Sequence, residues 1–200
     1  MRFSPFVIVA ACSVLAACAA DSTYAPSDPL VQIDSFYDDG AADRDIQLVV
    51  IGDPFPLPDQ QFNRALEADL QNTPLARPPT RPVLAPGSSA KPIYRLVYAF
   101  NPSPDMFGNT LCRLGSKAES VNDWPARPPG GPSPTGDVHA TAAFCVEYRS
   151  LSEISGQTIA SGPADPHFVQ MARLMMGEVF RKDIHPHTGN PNGNAAKPAG

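Results

Sequence analysis

The residues from which a reaction or a metal site could be built are few: four histidines, four cysteines and a run of aspartates. His185 and His187 sit close together, but their Gly-, Asn- and Pro-rich surroundings supply no second ligand pair, so no metal is expected there. His167 stands alone in the first turn of a predicted helix. The aspartates of residues 34–45 invite comparison with a calcium loop. That loop needs an oxygen ligand at its third position and glycine at its sixth, whereas here Phe36 is third and Gly40 seventh. G-x-S-x-G, H-E-x-x-H, a Gly-rich phosphate loop and C-x-x-C are all missing. A triad assembled only by folding stays open, since triads are recognised by geometry and not by order. The expectation is a chain with no metal, no cofactor and no catalytic residues.

Composition narrows the class further. Of 200 residues, 42% are hydrophobic, too many for a wholly disordered chain, and 24 are proline, too many for a continuous helical bundle. The formal charge of −5 lacks the basic footprint of a nucleic-acid binder. That charge is also local. Residues 19–45 hold seven Asp against the single Arg44 and read as a solvated tether.

The amino end, MRFSPFVIVAACSVLAAC, carries Arg2, then an apolar run from Phe6 to Leu15, and ends in Leu15-Ala16-Ala17-Cys18. The run is shorter than the roughly 20 residues that a spanning helix needs, and it has the length of a signal-peptide core. The segment resembles the lipobox of bacterial lipoprotein precursors. That resemblance implies cleavage before Cys18, diacylglycerol on its sulfur and acylation of its new amino group. The membrane then becomes a partner through acyl chains on Cys18. Ala19, in place of Asp, implies the periplasmic face of the outer membrane if the host is Gram-negative. The alternative is a plain secretory signal cut near Ala20.

On that reading Cys12 leaves with the signal and Cys18 carries lipid, so Cys112 and Cys145 remain in a compartment that permits disulfides. A bond between them is expected, with two buried thiols as the alternative.

The elements that must position these groups follow from periodicity. Residues 46–52 form a strand apolar on both faces, and residues 58–72 an amphipathic helix. After a loop, 73–90, comes a strand at 93–101, then a second long Pro-rich loop, 102–136. A strand at 138–149, a turn at 152–156 and a strand at 157–161 lead to a helix at 167–182, capped by Asp165-Pro166. The fold class expected is α+β: a small, mostly antiparallel sheet in β-α-β-β-β-α order, with both helices on one face. Domain organisation is a signal at 1–17, a tether at 18–45, one domain at 46–183 and a disordered tail at 184–200.

Two surfaces remain for partners. Ala76-Arg77-Pro78-Pro79 recurs as Ala126-Arg127-Pro128-Pro129, and such segments favour an extended shape that partners can grip, which makes Arg77 and Arg127 candidates. His139, Glu147 and Arg149 share the polar face of the 138–149 strand, opposite the helices, where a Cys112–Cys145 bond would pin the second loop. The function expected is a lipid-anchored, non-enzymatic envelope protein acting through contact with an envelope protein partner and not with nucleic acid. An accessory module holding a lipid or small apolar ligand between sheet and helices is the alternative, and an envelope hydrolase comes third.

Overall fold

The computed structural model describes residues 33–75, 77–104, 106–117, 132, 133 and 135–181. The signal segment, Cys18, Arg127 and the tail at 184–200 lie outside the described residues. Among the described residues no helix is long and apolar enough to cross a membrane.

Nine elements follow in order: α1 (Ile33–Gly40), β1 (Arg44–Ile51), α2 (Asp59–Gln71), β2 (Thr80–Val83), β3 (Tyr94–Phe100), α3 (Gly108–Lys117), β4 (Asp137–Val146), β5 (Arg149–Ile159) and α4 (Pro166–Val179). The strands form one sheet in the order β2-β1-β3-β4-β5. The class is α+β, but the sheet is mixed rather than mostly antiparallel. β1 runs parallel to both β2 and β3, while β3, β4 and β5 are antiparallel neighbours.

Four further departures from the sequence expectation have local causes. α1 lies in the stretch read as tether, because its aspartates face water while Ile33, Tyr37 and Gly40 are buried. β2 lies in the first Pro-rich loop; its Pro82 is tolerated because the strand is a short edge. α3 lies in the second loop. It includes Gly115, where an added Cβ would come within 2.6 Å of Val97, so glycine is what lets this helix rest on β3. Finally, the turn expected at 152–156 is the middle of β5. The chain reverses instead at Glu147 and Tyr148, with Glu147 in the left-handed region at φ 52°. Ser152, Ser155 and Gly156 look like turn residues, yet Gly156 is needed in the strand because Met171 and Met175 of α4 lie directly over it.

One face of the sheet is covered by α1, α2 and α4. Phe62, Leu66 and Leu70 of α2 and Phe168, Met171, Ala172, Met175 and Val179 of α4 pack on Leu48, Leu96, Tyr98, Phe100 and Phe144. Phe62 meets Phe100 at 5.0 Å and Phe55 meets Phe168 at 5.1 Å between ring centroids, both edge to face. Tyr98, fully buried, donates its hydroxyl to Ala172 O at 2.9 Å, and burial pushes that hydroxyl's pKa well up. α4 is started by Asp165, whose carboxylate accepts from the His167 N–H at 3.0 Å. The backbone N–H of Ser161 and that of His167 hold this carboxyl below its ordinary range. Arg173 Nη2 joins α4 to α2 through Asp69 Oδ1 at 3.4 Å.

Among the described residues, the other face has α3 alone. Leu111 and Cys112 pack with Val49, Ile51, Val97, Ala99, Ala143 and Cys145, and Cys112 and Cys145 are joined in a disulfide. Closing a loop of this size contributes about 3–4 kcal/mol through the unfolded chain. Cys112→Ser combined with Cys145→Ser should therefore lower unfolding stability by that amount in urea titrations. Equal midpoints for the two proteins would show that α3 is held by packing alone.

Candidate functional site

The side chains that α3 leaves uncovered form an open groove of about 440 Å³. Its floor is built by strand alternation. His139 and Thr141 of β4 stand opposite Gln157 and Ser155 of β5, with Glu153 two residues further along. Its wall is the loop Pro102, Ser103, Pro104, Met106 and Phe107, which leads into α3. Asn101 fixes that loop to the sheet. At φ 45° it donates its N–H to His139 O at 2.7 Å and accepts the His139 N–H on Oδ1 at 3.0 Å. Met106 is buried, whereas Phe107 is 59% exposed and stands over the groove's rim.

Glu153 is the charged group of the floor. Its carboxylate accepts the N–H of Gly108 at the start of α3, yet burial outweighs that bond and raises its pKa. Thr141 and Ser155 hydroxyls bond each other at 3.2 Å. The register sets His139 four residues from the position facing Glu153, roughly 13 Å along the strand. An acid–base pair needs hydrogen-bond reach, so these two groups do not form one. No group of three or more His, Cys, Asp or Glu able to hold a metal occurs among the described residues. The groove presents hydroxyls, an amide, an imidazole, a carboxylate and an aromatic rim.

Of the described residues singled out from sequence as partner-binding, the structure brings only His139 into this groove. Glu147, in the hairpin turn, and Arg149, the first residue of β5, lie beyond the far end of β4, eight and ten residues from His139. Both are exposed there, and Arg95 Nη2 donates to Glu147 O at 2.6 Å. Arg77 is enclosed. Its side chain is 5% exposed, pairs with Asp34 and lies 4.8 Å over the ring of Tyr37, whose hydroxyl is pushed up to about 12 by burial. That arginine clips α1 to the domain. Sequence reasoning misses Glu153, Ser155, Gln157 and Phe107. The first three do alternate with Ile154 and Gly156, and that period of two is the available signal.

No family model matches the chain, and no curated protein matches it. Among solved structures, a dodecamer of a PelC variant from Paraburkholderia phytofirmans is 14% identical, over 70% of this chain and 88% of that one, with a TM-score of 0.32. A score at that level does not equate two folds. The character of the groove comes from this chain's own residues.

Glu153 makes a clear pH prediction. Its pKa is raised in the folded state, so the fold binds this proton more tightly than the unfolded chain does. Stability from this group is full below its unfolded pKa and is lost as pH rises through the folded one. Glu153→Gln keeps an acceptor for Gly108 and removes the charge. It should therefore be more stable than the parent at about pH 7, and the two should converge near pH 4 in thermal melts. Parallel curves across that range would contradict the assignment.

Proposed function

We propose that the chain is a lipid-anchored protein of the bacterial cell envelope whose domain works by protein contact and not by catalysis. The anchor is Cys18, with its acyl chains in the membrane, at the periplasmic face of the outer membrane in a Gram-negative host. More than one acyl chain makes a stable tether, at about 0.8 kcal/mol per buried CH₂. Fifteen Cα–Cα steps separate Cys18 from Ile33, so the domain can reach at most about 50 Å from its anchor.

The observation that carries the contact reading is the groove: a polar floor with an exposed aromatic on its rim, in which His139 and Glu153 stand too far apart to act as an acid–base pair. An exposed aromatic beside polar groups is a composition found at protein-binding surfaces. The lipid-holding alternative finds its sheet–helix cleft filled by Phe55, Phe62, Phe100 and Phe168 in mutual contact, which favours the groove over the cleft as the working surface.

Cys18→Ser should move the protein from the membrane fraction to the soluble fraction. A protein still wholly in the membrane pellet would defeat the lipid anchor. Cross-linking in intact envelopes should recover a stoichiometric partner with the parent chain and lose it with Phe107→Asp, an exposed change that leaves the core untouched. Recovery of no partner, or capture indifferent to position 107, would end the contact reading.

A further inference from the structure

The end of the groove nearest α3 holds a charge that nothing among the described residues balances. Glu153 lines the groove, and its carboxylate takes one hydrogen bond, from the Gly108 N–H to Oε2. A carboxylate offers about four acceptor positions, so Oε1 and half of Oε2 remain open. Among the described residues the groove is lined by no lysine or arginine, and Glu153 forms no ion pair. Burial raises its pKa, and no neighbouring positive charge acts against that burial. A neutral side chain would therefore suit the fold better at this position. A charge that the fold does not need is a sign of use elsewhere.

An aromatic ring stands beside that charge. Phe107 immediately precedes Gly108, whose φ of 54° turns its N–H to Glu153, and the Phe107 side chain is 59% exposed at the rim. A ring and a carboxylate side by side suit a guanidinium. Its plane stacks on the one while its fork of N–H donors bonds the other. A lysine ammonium is more strongly hydrated and presents no plane to the ring.

The rest of the groove suits extended main chain. From Glu153 to the level of His139 is roughly 13 Å along the strand, the length of about four extended residues. Between them the hydroxyls of Thr141 and Ser155 can each donate and accept, and the Gln157 amide does both. His139 is exposed at the far end and is the other titratable group of the described lining. The charge pattern thus asks for one cation, at one end.

Given the contact reading above, on which this rests, we propose that the groove receives an extended segment of the protein partner, with an arginine at the Glu153 end. Its guanidinium lies against the Phe107 ring and pairs with the Glu153 carboxylate, and the segment's main chain runs over Thr141 and Ser155 toward His139.

The test needs no partner. The full chain in non-ionic detergent is titrated with three blocked five-residue peptides, identical but for a central arginine, lysine or citrulline, and followed by NMR at the Gly108 amide. Citrulline has the shape of arginine without its charge. The arginine peptide should bind most tightly, the lysine peptide more weakly, and the citrulline peptide about tenfold more weakly than arginine. Glu153→Gln keeps an acceptor for Gly108 and should cut arginine-peptide affinity about tenfold while thermal unfolding stays cooperative. Phe107→Leu keeps an apolar rim without a ring and should cut it about threefold. Salt should weaken binding to the parent chain and leave that to the Glu153→Gln protein unchanged. Agmatine, a guanidinium with no peptide behind it, should bind more weakly than the arginine peptide. Arginine and citrulline peptides of equal affinity, or affinity indifferent to Glu153→Gln, overturn the proposal. Lysine equal to arginine removes the stacked ring from it, and agmatine equal to the peptide gives the groove to a small cation instead. Absence of a partner in intact envelopes would end the contact reading and leave this titration unchanged, so the two fail separately.

Discussion

The interaction on which the rest depends is the burial of β3 on both faces. Tyr94, Leu96, Tyr98 and Phe100 point one way and Val97 and Ala99 the other, and all are almost fully buried. A strand of this kind needs cover on each side. On one side the chain supplies three helices. On the other, among the described residues, it supplies α3, whose ten residues span about 15 Å. The helix starts against β5 at Glu153 and Ser150, crosses β4 at the Cys112–Cys145 bond and reaches β3 at Gly115, so it leaves the His139–Gln157 end of β4 and β5 uncovered. The polar side chains of His139, Thr141, Ser155 and Gln157 lie where cover runs out. Among the described residues, the groove is thus the part of the second face that the crossing of α3 does not reach.

Periodicity makes β1, β3, α2 and α4 legible, because each shows a plain apolar rhythm that packing then uses. Phe62, Leu66 and Leu70 all reach the core from α2, as do Phe168, Met171 and Met175 from α4. What periodicity cannot show are elements whose local signals point elsewhere. Gly108 and Gly115 disguise α3 as loop, Pro82 disguises β2, and Asp34, Asp38 and Asp39 disguise α1 as tether. β5 reads as two pieces because serines and glycine at 152–156 satisfy turn rules as well as strand rules. In each case tertiary contact overrides composition: Val97 under Gly115, Tyr37 under Arg77, the methionines of α4 over Gly156.

The site is legible in part for a related reason. Simple alternation places His139 on the face opposite the helices, and alternation holds. Glu147 and Arg149 reach that face only if the strand continues past its end at Val146. One positive φ at Glu147 redirects the chain and carries both residues to the hairpin tip. Arg77 shows the opposite error. An arginine between prolines reads as a solvated hook, yet an aspartate and a tyrosine 43 and 40 residues earlier, respectively, enclose it, and nothing near it in the sequence announces either.

The two edges of the sheet are unequal, β2 four residues long and β5 eleven, and that has a meaning for assembly. A sheet extendable on both sides can recruit copy after copy and become a fibre. Here β2, short and stiffened by Pro82, accepts no neighbour, so any strand that joins β5 completes the sheet and leaves blunt ends outward. Association through this fold is therefore self-limiting. One proline at an edge is thus enough to keep strand pairing at the opposite edge from propagating.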